Sequence, residues 1–303
     1  MPVGATLQRA TLFSARGFRH HAFAPNPRLS VKCMFNGRAL YRADRAWFGV
    51  TEQGYLILNE QQPYEIHIDS PTLLESFVVF FPAGWAEQGR AALTSSPHQL
   101  LDQPDGGGPV RFFERFTPHD HWVSPILRAL RQAHQRGPLP DLWVEQQLRE
   151  LLARMLQAQE EALRRSAELP AMRAATRNEL WLRLHRARDF IHAHSDSGLT
   201  VTQIAQVANL SPFHFMRAFK ELFRDTAHGY LSACRVEHAK FLLERTELPV
   251  TEICFSVGFD SLGSFSSWFR RLTGHSPRGW RRRRNKSRIE EVSRRSEVAL
   301  SEA

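Results

Sequence analysis

Between residues 199 and 283 one pattern of apolar, turn and basic residues is written twice, and this constrains the 303-residue chain more than any other feature. The first copy reads Ile204-Ala205, Asn209-Leu210-Ser211, Phe215, Phe219-Lys220, Phe223 and Tyr230. The second reads Ile253-Cys254, Gly258-Phe259-Asp260, Phe265, Phe269-Arg270 and Trp280. Offsets agree up to Leu210 and Phe259, shift by one residue at Ser261, and agree again from Phe215 and Phe265 onward. Two copies argue for one supersecondary unit used twice.

Each copy reads as a helix, a tight turn and a second helix. Ile204-Ala205 and Ile253-Cys254 pair a large with a small apolar residue, which lets a second helix cross closely. Asn209 and Gly258 are the residue types that most readily enter the left-handed conformation ending a helix. Ser211 with Pro212 then caps one second helix, and Asp260 or Ser261 the other. Phe215 and Phe219, like Phe265 and Phe269, stand four apart and share a face. This is helix-turn-helix geometry. Asn178 or Glu179 starts a preceding helix that ends at the 195–198 turn, Thr200 caps the first helix of unit one, and Leu248-Pro249-Val250-Thr251 opens unit two. A connecting helix from about Gly229 to Glu244 gives a rod of roughly 22 Å, of the order needed to hold two helices in major grooves roughly 34 Å apart.

Residues 199–283 resemble the double helix-turn-helix domain of the AraC/XylS transcriptional regulators. The resemblance rests on Ile204-Ala205, Leu210-Ser211, Phe219-Lys220, Arg235 with Ala239 and Leu242-Leu243, Gly258-Phe259, Phe269, and Gly274-x-Ser-Pro-x-x-Trp280-Arg281. Arg224 and Ala227 stand where that family usually has Gly and Pro, and Trp280 where it usually has Tyr or Phe. The resemblance implies a sequence-specific regulator of double-stranded DNA, an activator answering a small-molecule effector, that contacts RNA polymerase and forms a homodimer. It also places base-reading residues at Phe213, Met216 and Arg217, with Lys220 on the same face. The corresponding places in unit two are Leu262, Gly263, Ser266 and Ser267, with Arg270 and Arg271 expected on phosphates. Arg217 is the best single candidate for a base contact, since guanidinium pairs bidentately with guanine.

Charge agrees in place as well as sign. The chain carries a net +9, and residues 178–303 hold 20 Lys+Arg against 14 Asp+Glu, a net +6. Six cations fall in residues 281–288, read as a solvated tail whose attraction to phosphate is salt-sensitive. Cys33, Cys234 and Cys254 form no CxxC pair, so reduced buried thiols and a cytoplasmic location are expected. No apolar run approaches a membrane span, the strongest being Phe77 to Phe81 before Pro82. The first 40 residues hold Arg9, Arg16, Arg19 and Arg28 without an acid, which superficially suits a transit peptide but lacks its amphipathic period.

Ahead of the repeat, residues 29–81 read as short strands: Leu29 to Cys33, Ala46 to Val50, Tyr55 to Leu58, Tyr64 to Ile68 closed by Ser70-Pro71, and Leu73 to Phe81. Their rhythm suggests a small barrel, and the family resemblance implies a cupin-like one. Residues 82–118 give no readable period. Ser124-Pro125 opens a helix that Gly137-Pro138 stops, and a second begins near Pro140-Asp141. Its stripe of Trp143, Val144, Leu148, Leu151-Leu152, Met155 and Leu156 either covers the barrel or pairs with a second copy.

The fold class is therefore α+β: a cupin-like β-barrel with helices, then an all-α domain with two helix-turn-helix units. The expected boundaries are 1–165 for the sensory and dimerisation domain, 166–177 for a linker, 178–284 for DNA binding and 285–303 for a disordered basic tail. His20-His21, His67, His119 and His121 lack local ligand spacing, so no metal is expected, nor any cofactor. GxSxG, HExxH and phosphate-cradling motifs are absent, so no enzyme is expected, and residues 104–109 read as a flexible connection. The alternatives are a barrel enzyme or metal-binding protein with an appended DNA-binding domain, and a nonspecific nucleic-acid binder driven by the tail.

Overall fold

The structure, a computed structural model, describes residues 9–94, 109–167 and 174–284. The expected tail 285–303, most of the 104–109 glycine connection and the middle of the expected linker lie outside the described residues.

The N-terminal region is a nearly closed antiparallel barrel of seven strands. These are β1 (Thr11–Ala24), β2 (Ser30–Phe35), β3 (Ala39–Ala43), β4 (Ala46–Val50), β5 (Gly54–Leu58), β6 (Tyr64–Phe80) and β7 (Phe116–Pro118). The order is β4-β3-β6-β2-β5-β7, with β1 along the other side of β6. β1 lies ahead of the stretch read as strands, which began only at Leu29.

The break expected at Ser70-Pro71 does not occur, and β6 is one strand of 17 residues. Pro71 cannot donate to a ladder, so it survives only where no donor is needed. On one side β6 changes partner there, from β3 (through His67) to β2 (from Glu75). On the other side the β1 register shifts between Gly17 and Arg19, leaving residues 70–73 in a bulge.

Alternation along the strands divides the apolar residues into two layers. Met34, Tyr41, Phe48, Leu56, Leu58 and Leu74 fill the barrel. Val31, Cys33, Tyr55, Ile57, Phe77 and Val79 face outward, where helices cover them. Those helices are α1 (Trp85–Thr94), in the stretch that had no readable period, α2 (Ser124–Arg136) and α3 (Asp141–Ala167). Leu148, Leu151, Leu152, Met155 and Leu156 of α3 are all buried in this layer. The stripe that could have served a dimer seam is therefore committed to the barrel.

Next come α4 (Ala174–Ala193), α5 (Val201–Val207), α6 (Pro212–Phe223), α7 (Ala227–Arg245), α8 (Val250–Ser256) and α9 (Leu262–Thr273). Helix begins at Ala174, inside the expected linker, and α7 has 19 residues rather than about 15, a rod of about 28 Å.

α4 is also the seam between barrel and helices. Buried Arg188 donates to the Phe116 carbonyl at 2.5 Å, and Asp189 accepts from the Phe116 amide at 3.1 Å, so the exposed edge of β7 is completed by side chains. The two side chains also pair with each other at 2.9 Å. His192 stacks on Phe116 at 4.5 Å, and burial lowers its pKa to about 4, helped by Arg38 and Arg188. It is neutral at physiological pH and adds no uncompensated charge. Gly49 permits the approach, because a Cβ there would stand 3.1 Å from the Ala193 Cα. Arg38 to Asp196 at 2.5 Å closes the seam beside a cleft of about 870 Å³.

Candidate nucleic-acid interface

Unit one is set by its caps. Thr200 accepts from the Gln203 amide while the Gln203 side chain takes the Thr200 amide, a reciprocal capping box that starts α5. Asn209 turns left-handed (φ 51°), and Leu210 donates back to the Ala205 carbonyl at 3.0 Å, ending the helix. Ser211 caps α6 through the His214 amide, with Pro212 next. Phe215, Ala218 and Phe219 are buried, and Phe219 meets Phe223 at 4.5 Å and Tyr230 at 6.3 Å. Arg224 takes the left-handed exit (φ 57°), and Thr226 caps α7. Ala227 is the first residue of α7, where proline is tolerated but not required.

Unit two repeats the plan with other residues. Gly258 (φ 80°) ends α8, and a Cβ there would also lie 2.9 Å from both Arg235 and the Asp196 carbonyl. Both the backbone angle and the close approach therefore require glycine. Of the two expected caps Ser261 is the one used, accepting from the Ser264 amide. Phe265 and Phe269 are buried, and Gly274 makes the left-handed exit. A helical segment at 277–284 follows, so Arg281–Arg284 are not the loose tail expected. Trp280 packs edge-on to Phe269 and donates to Glu244 at 3.0 Å. Arg281 donates to the Leu248 carbonyl at 2.7 Å, and Arg284 pairs with Glu244 at 3.5 Å, so both help hold the unit shut.

With the phenyl faces turned inward, the opposite faces of α6 and α9 are left to solvent. Phe213 is 75% exposed and Met216 47%, and Arg217 and Lys220 are exposed beside them. In α9, Leu262 is 37% exposed, Gly263, Ser267, Arg270 and Arg271 are exposed, and Ser266 is half-buried. Each helix thus brings its candidates together on one face, spaced three, four and seven residues apart. An exposed phenyl and thioether with a guanidinium can take a thymine methyl and a guanine edge. The face of α9 offers hydroxyls and two cations, a set suited to phosphate. The second helix expected in each unit is present, Pro212–Phe223 behind its cap Ser211 and Leu262–Thr273 behind its cap Ser261.

Among the other histidines singled out, His119 uses both ring nitrogens structurally, with Ser124 at 2.9 Å and the Glu52 carbonyl at 3.1 Å. His121 lies against Trp122. Sequence reasoning missed the seam residues Arg188, Asp189 and His192, because nothing local marks a helix side chain as the partner of a strand edge. No described helix is long and apolar enough to cross a membrane.

The family model described as a helix-turn-helix domain matches residues 204–283. An uncharacterised HTH-type transcriptional regulator, YobQ of Bacillus subtilis (strain 168), is 33% identical over 93 residues, 30% of this chain and 38% of that protein. The arabinose operon regulatory protein of Escherichia coli (strain K12) is 27% identical over 186 residues, 61% of this chain and 59% of that protein. The solved C-terminal domain of AraT, a response regulator from Geobacillus stearothermophilus, is 36% identical, with 34% of this chain and 85% of that one covered at a TM-score of 0.33. Against the first curated relatives the chain spans between 13% and 59% of their length. Residues 204–283 of this chain are an AraC-type double helix-turn-helix domain.

Proposed function

We propose that the chain is a sequence-specific transcription regulator that places α6 and α9 in successive major grooves of double-stranded DNA. The observation that carries this reading is the pair of capped helices on either side of the α7 rod, each burying its phenyl groups and exposing a face of base- or phosphate-compatible side chains. Unit one supplies base discrimination through Phe213, Met216 and Arg217, with Lys220 on the backbone. Unit two supplies mainly phosphate contact through Arg270 and Arg271, with Leu262, Gly263, Ser266 and Ser267 lying against the groove.

The barrel is read as the sensor. Lys32 is 2% exposed inside it, donates to the Tyr64 hydroxyl at 2.9 Å, and forms no ion pair among the described residues. Burial, with Arg28 nearby, lowers its pKa to about 7. A buried amine without a carboxylate is costly, and the cavity it lines, about 280 Å³ between Tyr41, Tyr64, Ile66, Val78 and Phe80 with Arg16, Arg19 and His20 on the β1 side, suits an acidic effector with an apolar body. Such an effector stabilises whichever seam geometry it binds better and so biases the placement of the two units. Contact with RNA polymerase then makes an activator. A homodimer through β1, which pairs with β6 on one edge and leaves Phe18 and Phe23 exposed, doubles the contacts on DNA.

Selection of bound fragments from a random DNA pool by the full-length chain tests the regulator reading. Enrichment of one sequence that persists at physiological salt is expected, whereas recovery of unrelated sequences with equal affinity leaves a nonspecific binder. In the same assay Lys32→Met is expected to remove any response of DNA affinity to small carboxylic acids.

A further inference from the structure

The β1–β6 ladder places His21 directly opposite His67, and Glu65 stands two residues before His67 on β6. Side chains alternate across a strand, so all three leave the same face of the sheet. His20, one residue away, points to the other face and lines the barrel cavity. The ligating atoms of His21, Glu65 and His67 all lie within 4.8 Å of one another. His67 Nε2 is 3.4 Å from Glu65 Oε2, and the two imidazole rings stack at 4.1 Å.

We propose that His21, Glu65 and His67 form a binding site for a borderline divalent cation, Zn²⁺ foremost. Two imidazoles and one carboxylate are a zinc donor set, and tetrahedral coordination with bonds of about 2.0–2.1 Å requires donors roughly 3.3 Å apart. His67 and Glu65 already have that separation, and His21 needs only a turn of its side chain. Mg²⁺ and Ca²⁺ prefer all-oxygen shells and are disfavoured by the two nitrogens. Three protein ligands leave a fourth position for water or an anion, unlike the closed four-ligand sites that hold folds together. His67 and Glu65 are 39% and 36% exposed, and His21 is exposed, so a hydrated ion reaches the site from solvent. The site is therefore exchangeable, and the barrel folds without it.

Its position gives it a reporter. The Trp47 ring lies 6.3 Å from His67 on one side and 5.3 Å from His194 on the other. His194 follows α4, so an ion on His67 sits one aromatic ring away from the seam between the barrel and the helix-turn-helix units.

The test uses the full-length chain without a histidine tag, stripped with chelator, freed of it, and equilibrated against micromolar Zn²⁺ by dialysis with elemental analysis. Wild type is expected to hold one more zinc per chain than the double variant His21→Ala/His67→Ala. Glu65→Gln is expected to weaken that zinc by about tenfold or more. Zinc is expected to change tryptophan emission in wild type and to leave the Trp47→Phe variant unchanged. His21 is exposed and Trp47, Glu65 and His67 are half-buried, and unchanged far-ultraviolet circular dichroism shows that the variants fold. Equal zinc in wild type and the double variant, or no zinc in either, overturns the proposal. No DNA enters these measurements, so their outcome is separate from that of the regulator reading.

Discussion

The two helix-turn-helix units share one plan and differ in what encloses them. Unit one is backed by α4: Leu184, Ala187 and Ile191 join Phe215 and Phe219 in one core, and Leu222 reaches the Ala162 and Trp181 cluster at the end of α3. Unit two has a core of its own, formed by α7, α8 and α9 with Trp280 laid against it. The same local code therefore builds a unit whose apolar core runs on into α4 and the end of α3, and a unit with a separate core that meets the barrel through polar contacts such as Arg245 to Asn36 at 3.2 Å. On the function proposed above, unit one is the half through which a change in the barrel first reaches DNA.

Removing one phenyl from each core has the largest expected effect. Phe219→Ala and Phe269→Ala each delete a fully buried ring and should cost about 3–5 kcal/mol. The comparison lies in where the loss spreads. Hydrogen exchange should show lost protection across α4 and the Phe116 seam for Phe219→Ala, and loss confined to α8, α9 and the end of α7 for Phe269→Ala. The same spread in both variants would erase the distinction between a continuous and a separate core.

Next in size is the division of labour on DNA. Arg217→Ala should cost about 1–3 kcal/mol and relax preference at one base pair, whereas Arg270→Ala should weaken all sequences alike and lower the salt slope by about 1. Competition gel shifts over a salt series, with single-base variants of a selected site, measure both. If Arg270 proves the discriminating residue, the roles assigned to the two units are reversed.

The smallest effect sharpens the comparison at the exits. Arg224 and Gly274 occupy equivalent left-handed positions, φ 57° and 76°, but only one is glycine. A side chain with positive φ is strained, so Arg224→Gly should stabilise by up to about 1 kcal/mol and Gly274→Ala should destabilise by about as much. A Cβ at Gly274 meets nothing within 4 Å, so the second variant tests backbone strain without a clash. Urea titrations report both, and equal stability of all three proteins would remove exit strain as a difference between the units.

Legibility in the sequence followed the distance over which residues act on one another. Thr200 with Gln203, Ser211 with His214, and Ser261 with Ser264 are each three residues apart, and the phenyl pairs four apart, so the repeat fixes its own geometry. α2 and α3 were equally readable, because Gly137-Pro138 and a regular apolar stripe are local signals. β1 was missed because its residues are mostly exposed and alternate weakly, and its strand character comes from pairing along β6. Pro71 misled for the same reason, since whether a proline ends a strand depends on which neighbours ask for its amide. Arg281 and Arg284 were read as free cations because the Leu248 carbonyl and Glu244 that hold them are remote in sequence.

The sequence alone determined that two capped helix pairs exist, which faces bury phenyl groups, and where positive charge collects, because all of these follow from contacts within one or two helical turns. Only the tertiary structure decided that the α3 stripe belongs to the barrel, that α4 completes the edge of β7, and that His21 meets His67. Each of those depends on strand register and chain crossing, which long-range burial selects and no short window of residues encodes.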